Sequence, residues 1–205
     1  MCKMITVIKA APCAGKSTIK KHLAGYNVAC IDMSELIDQV ATEDPAFRKM
    51  ALEIKHKRQL LPCEIVMNVF TDFVSKNHHD RWAVFGMPRT VRQAEELVDH
   101  PTFEKFDICR LIDYFVDVQV LEQRYLKRQS NENRVDDQVP WNIFKESRVD
   151  PFFMGRHGVL KVFNSHHRWH VGCEQGDAEN AAEDMARSLV KSMRLRPRQT
   201  DSMRN

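Results

Sequence analysis

The passage from Met4-Ile5-Thr6-Val7-Ile8 into Ala10-Ala11-Pro12-Cys13-Ala14-Gly15-Lys16-Ser17-Thr18 constrains this chain more than any other feature. An apolar β-rich run, a stretch of small residues and then Ile19 and Leu23 at helical spacing read as strand, loop and helix. Such a loop points several backbone N–H groups and the positive end of a helix dipole at one spot, so a polyphosphate is the expected ligand. Pro12, Cys13, Ala14, Gly15, Lys16, Ser17 and Thr18 are its candidate contacts. Lys16 would add a mobile charge on the terminal phosphates, and the Ser17 hydroxyl would ligate a magnesium ion held between them. The spacing is that of G-x-x-x-x-G-K-[ST] with Ala10 in place of the first glycine. Against this stands an ordinary strand-turn-helix with a solvated Lys16; the flanking apolar pattern favours the phosphate loop.

With 205 residues, the chain is long enough for one substantial core and a small inserted subdomain. A formal charge of +3 is too small to suggest nucleic acid. The six cysteines (2, 13, 30, 63, 109 and 173) form no C-x-x-C pair, which fits free thiols in a reducing compartment. No stretch approaches the ~20 apolar residues of a membrane span. The expectation is a cytoplasmic monomer without membrane or nucleic-acid partners.

Short β-rich runs recur at Met4–Ala10, 27–31, 82–86, 106–112 and 169–173, with helical patterns between them. That alternation predicts an α/β fold with a five-stranded parallel sheet covered on both faces. The expected division is core 1–32, helical insertion 33–79, core 80–127, short lid 128–134, core 135–193 and a frayed basic tail 194–205. Within the insertion, Pro62 and Glu64 suit a helix start, and Ile65, Val66, Val69, Phe70, Phe73 and Val74 give it an apolar face. Val118, Leu121 and Tyr125 mark another helix, Met185 and Leu189 a last one.

Phosphoryl transfer needs cations around the moving group more than it needs covalent chemistry. Arg89, in Gly86-Met87-Pro88-Arg89-Thr90, follows the third strand and so sits at the same sheet edge as the phosphate loop. Arg124 and Arg128 are four apart on a helix, followed by Arg134-Val135-Asp136-Asp137 and Arg148. Any one of these is ordinary surface charge; together, on a scaffold with a phosphate loop, they suggest a cluster.

At this point the sequence resembles the adenylate kinase family of nucleoside monophosphate kinases. The matching elements are Ala11-Pro12-Cys13-Ala14-Gly15-Lys16; Gln59-Leu60-Leu61-Pro62 with Glu64; Gly86-Met87-Pro88-Arg89-Thr90 with Gln93-Ala94; Gln123-Arg124 through Lys127-Arg128; and Arg134-Val135-Asp136-Asp137. The resemblance implies a P-loop NTPase fold of three α/β/α layers, ATP with Mg2+ as donor and a nucleoside monophosphate as acceptor. By the same resemblance Lys16 would bridge the donor phosphates and Arg89 would hold the acceptor phosphate. Gln93 and Leu61 would face the acceptor, with Gln93 on its base, and Arg124 would pack on the donor base. Arg128, Arg134 and Arg148 would close over the transferring group under a compact, cysteine-free lid.

Four positions depart from the family pattern. A methyl at Ala10 would cost on the order of a kcal/mol if that position needs a positive φ, and little if it is extended. Phe85 replaces an aspartate expected to orient magnesium's waters, so the metal would rely on Ser17, the phosphates, water or another carboxylate. Asp38 stands where a second acceptor-phosphate arginine is expected, and Met33 where a threonine usually faces the acceptor base. At an effective dielectric of ~20, a reversed unit charge at 4 Å is worth about 4 kcal/mol. Lys55, Lys57 or Arg58 would be substitutes for the missing cation.

Three readings of function follow. One is ATP-dependent phosphorylation of AMP or a related monophosphate. Another is a small-molecule kinase for a nucleoside or sugar, in which Asp32, Glu35 and Asp38, three apart on one helix side, serve the acceptor hydroxyl. The last is a nucleotide-binding protein that has lost its chemistry. His78-His79 and His166-His167 are read as structural.

Overall fold

The computed structural model describes residues 2–57, 59–131, 138–177 and 180–193. Arg58, Arg134, Asp136, Asp137 and the 194–205 tail, all singled out above, lie outside the described residues.

Five strands, β1 (Met4–Ala10), β2 (Ala29–Asp32), β3 (Arg81–Phe85), β4 (Ile108–Phe115) and β5 (Trp169–Gln175), form one parallel sheet in the order β2-β3-β1-β4-β5. The chain therefore has the three-layer α/β fold expected of a P-loop NTPase. The strands fall where the apolar runs predicted, displaced by up to three residues at their ends. β4 continues through Asp113 to Phe115, because polar Asp113 is carried inside the sheet and does not end it.

Alternation along the strands sorts two cores. Ile5, Val7, Trp82, Val84, Leu111 and Trp169 face one layer, which contains α4 (Cys63–Lys76), α5 (Val91–Val98) and α8 (Asp150–Ser165). Met4, Ile8, Ala10, Phe85 and Tyr114 face the other, packed on α1 (Lys16–Leu23), α6 (Val118–Asn131) and α9 (Ala181–Ser192). The apolar stripes named above supply the contacts: Val66, Phe70, Val74, Leu121, Tyr125, Met185 and Leu189 are all buried.

Between β2 and β3 the chain runs through α2 (Met33–Glu43), α3 (Pro45–His56) and α4. Pro62 caps α4 and Glu64 lies in its first turn, as proline and acid preferences at helix starts dictate. The sequence pattern did not foresee α8 or the short α7 (Trp141–Phe144) before it. Gly155 and Gly158 weaken the helical signal of α8, yet Gly158 is required there and Gly155 relieves a tight contact. A methyl on Gly158 would lie 2.6 Å from Val91 Cγ2, and one on Gly155 would lie 3.3 Å from the Arg89 carbonyl oxygen. The two glycines let α8 pack directly on the segment that carries Arg89.

Candidate active site

The loop after β1 turns on two left-handed residues, Cys13 (φ 64) and Gly15 (φ 97), and Gly15 starts α1. A side chain on Gly15 would meet Ala182 Cβ of α9 at 2.8 Å, so this glycine answers both to backbone conformation and to close packing. Ala10, by contrast, is the last residue of β1, paired with Tyr114 of β4. Its methyl therefore occupies an extended position, where glycine has no conformational advantage.

Pro12, Cys13, Gly15 and Lys16 are partly buried, Ala14 is fully buried, and Ser17 and Thr18 are exposed in the first turn of α1. Burial lowers the Lys16 pKa to about 8; Asp32 and Cys13 act against this, while Arg89 and Arg128 add to it. Positive charge from two distant parts of the chain thus acts on one lysine.

Arg89 follows β3 across a cis Met87–Pro88 peptide. Its Nε donates to the Gly86 carbonyl (3.0 Å), and its backbone N–H donates to Gln93 Oε1 (2.7 Å). Arg89 is exposed as a residue, yet its pKa is lowered by desolvation and by Arg148, with Asp32 opposing. Arg148 lies in a π-helical turn, Lys145–Val149, that joins α7 to α8. The structure therefore sets a second cation beside Arg89, from a segment other than 33–79. Asp38, where the resemblance leads to the expectation of an arginine, is on the exposed side of α2, and Lys57 is likewise exposed. Gln93 is buried and its oxygen is turned onto the Arg89 backbone, so here it braces the turn that presents Arg89. Leu61 packs against the core beside α4.

Arg124 and Arg128 project from α6. Arg124 donates from Nη1 to the Ala14 carbonyl (3.2 Å) and from Nη2 to the Gly176 carbonyl (2.8 Å), tying the phosphate loop to the end of β5. Gly176 cannot carry a side chain, because a methyl would lie 2.7 Å from Tyr114 Cζ.

Phe85 is fully buried on the α1 side of the sheet. Its partner in register on β2 is Asp32. Asp32 does not lie on a helix face with Glu35 and Asp38, as the three-residue spacing suggested. It ends β2 and caps α2, accepting from Ser34 N (3.0 Å) and Ser34 Oγ (2.7 Å). Glu35 instead pairs with Lys20 at 2.5 Å. Burial alone would raise the Asp32 pKa, but the Ser34 hydrogen bonds and the Lys16 charge outweigh it and hold the carboxyl below its ordinary range. Asp32 is thus the ionised carboxylate next to the phosphate loop, at the neighbour of the position where an aspartate was missed. An N-cap signature, Asp before a helix at the end of a strand, was the available signal.

Among the described residues no group of three or more His, Cys, Asp or Glu side chains forms a metal cage. Magnesium needs none: it is usually held by one or two protein oxygens together with phosphates and water. The Ser17 hydroxyl and Asp32 carboxylate fit that donor set. No helix among the described residues is long and apolar enough to cross a membrane.

Comparison with known proteins shows the family. Residues 10–140 match the AAA domain family. The chain belongs to that family. It is a divergent, adenylate kinase-like member of it. The adenylate kinase of Flavobacterium psychrophilum is 28% identical over 134 residues, 64% of this chain and 70% of that protein. That of Francisella philomiragia is 30% identical over 127 residues, 61% of this chain and 55% of that protein. A third, from Azobacteroides pseudotrichonymphae, is 28% identical over 134 residues. The chain thus spans little more than half the length of the Francisella enzyme it matches.

Proposed function

We propose that this chain is an ATP-dependent nucleoside monophosphate kinase that moves the γ-phosphoryl group of ATP to AMP or a related monophosphate. The observation that carries the reading is the convergence of charge: Lys16 feels Arg89 and Arg128, and Arg89 feels Arg148. These residues come from four separate segments, and a cluster of like charges is costly unless a polyanion neutralises it. Two nucleotides carrying phosphates end to end supply that neutralisation.

In this reading an oxygen of the acceptor phosphate forms the new P–O bond as the bond from the γ-phosphorus to the ADP oxygen breaks. No proton has to be removed from the acceptor phosphate, so positioning and charge stabilisation carry the reaction. Lys16 and the N–H groups of the loop hold the donor phosphates, and Arg124 fixes the loop from behind. Arg89 and Arg148 hold the acceptor phosphate, while Arg128 and Arg134 close the site. Leu61 and Gln93 would flank the acceptor, Gln93 by bracing the backbone of Arg89. The helices of 33–79 would carry the acceptor and 128–134 would act as the lid. Ser17 and Asp32 would hold Mg2+, which supplies charge neutralisation on the transferring phosphates when bound.

The small-molecule reading needs a base for a hydroxyl acceptor. Asp32 is the carboxylate in place, and its lowered pKa makes it a poor one. A coupled assay of AMP, CMP, UMP, GMP and dTMP with ATP and magnesium is expected to yield a diphosphate from at least one of them. Turnover with a nucleoside or sugar and none of these acceptors, or ATP binding without turnover, would overturn the proposal.

A further inference from the structure

Below the phosphate loop, on the α8 face of the sheet, the apolar core is interrupted by charge. Lys9, Asp113 and Cys173 are neighbours in register across β1, β4 and β5. Lys9 is 2% exposed and Asp113 is fully buried. Arg156 of α8 closes the row: its Nε and Nη2 both reach Asp113 Oδ2, at 2.8 and 2.5 Å. The Cys173 thiol donates to the same oxygen at 3.5 Å. Lys9 Nζ sits 3.8 Å from the centre of the Phe152 ring, and among the described residues neither it nor Asp113 Oδ1 has a hydrogen-bond partner.

Such a half-satisfied network is a poor way to stabilise a core, because apolar groups of similar size would do as well or better. What it does supply is a fixed placement of α8. Unlike a stripe of leucines, which tolerates sliding, one guanidinium fork on one buried oxygen sets the helix in register and rotation. Two things hang on that placement. The turn bearing Arg148 runs directly into the first residue of α8, and α8 passes so near the Arg89 carbonyl at Gly155 that an added Cβ would lie 3.3 Å from it. α8 thus joins the two arginines assigned above to the acceptor phosphate.

We infer that the pair formed by buried Asp113 and half-buried Arg156 is a positioning device that locks α8 so that Arg148 stands beside Arg89, and that its chemical role is exercised through those two arginines. The inference rests on the proposed kinase reading for its turnover readout and on binding for an independent one. Neither Asp113 nor Arg156 touches substrate in this assignment.

The test compares wild type with Arg156→Lys, Asp113→Asn and the triple variant Lys9→Met/Asp113→Leu/Arg156→Leu, which strands no buried charge. Three quantities are measured: thermal stability, phosphotransfer kinetics, and calorimetric affinity for ATP and for a dinucleoside pentaphosphate that spans both nucleotide sites. The triple variant is expected to melt no lower than wild type. It should keep its ATP affinity within twofold, lose at least tenfold in kcat and lose at least tenfold in pentaphosphate affinity. Arg156→Lys, which keeps the charge and loses the fork, should fall between the two. If Asp113→Asn fails to fold, the triple variant still decides. A stable triple variant with wild-type kcat and pentaphosphate affinity overturns the inference. If wild type binds the pentaphosphate without turnover, the kinase reading fails while binding in the variants still judges the positioning. A wild type that neither turns over nor binds it overturns both.

Discussion

Lys9 and Lys16 lie on the same stretch of chain, and both have a pKa lowered to about 8 by burial. They are opposite solutions to the same cost. Lys16 stands at the mouth of the loop among Arg89 and Arg128, and an incoming polyphosphate would return the charge that desolvation takes away. Lys9 lies under α8 over the Phe152 ring, with Asp113 as a neighbour too poorly placed to bond it. The cost of the Lys16 charge is returned when a ligand reaches it, whereas that of the Lys9 charge is returned by none and lowers stability.

Removing the two lysines should separate these roles most sharply. Lys16→Ala should reduce phosphotransfer by at least about a hundredfold, as expected for loss of a charge on the transferring group, with little change in melting temperature; an unaffected rate would break the comparison. Lys9→Met should do the reverse. A pKa lowered from 10.5 to about 8 in a group 2% exposed corresponds to about 3 kcal/mol of destabilisation at neutral pH. The variant should therefore melt several degrees higher with near wild-type turnover.

The pH dependence carries the same contrast. For Lys9 the folded pKa is below the unfolded one, so the native state binds fewer protons between pH 8 and 10.5. Its contribution to stability therefore rises with pH across that window, and Lys9→Met should abolish the rise in chemical denaturation curves. For Lys16, a bound polyphosphate would raise the pKa again. ATP binding above pH 8 should then take up a proton, seen as buffer-dependent calorimetric heats, with affinity falling by up to about tenfold per pH unit.

Smaller effects sharpen the picture. Asp32→Asn keeps a good N-cap for α2, so stability should change by under about 1 kcal/mol, while the magnesium concentration for half-maximal rate should rise about tenfold, or about 1.4 kcal/mol. A rise in rate instead would remove Asp32 from the metal site. Ala10→Gly, which restores the missing loop glycine, should leave ATP affinity within twofold and cost about 0.5–1 kcal/mol of stability, because Ala10 is in a strand. A marked gain in affinity would show that the methyl obstructs the phosphates.

The strands, the phosphate loop and the helices built on Val66, Phe70, Leu121 and Met185 could be read from the chain, because each rests on periodicity or on a local turn requirement. The parallel sheet followed from their alternation. α8 could not be read in this way: Gly155 and Gly158 speak against a helix locally, and only the close approach to Arg89 and Val91 explains them. Nor could Asp32, whose spacing to Glu35 and Asp38 suggested one helix face while the end of β2 gave it another place.

Local pattern and spacing were sufficient to settle that this polymer makes a phosphate loop on a parallel α/β scaffold, since strand, turn and helix preferences act over a few residues. Tertiary structure alone decided which cation stands beside Arg89, which carboxylate faces Lys16, and that Arg156 of α8 meets Asp113 beside Lys9 on the sheet. Those are relations between segments tens of residues apart, set by sheet register and helix packing, and electrostatic interaction depends on distance in space, not on separation along the chain.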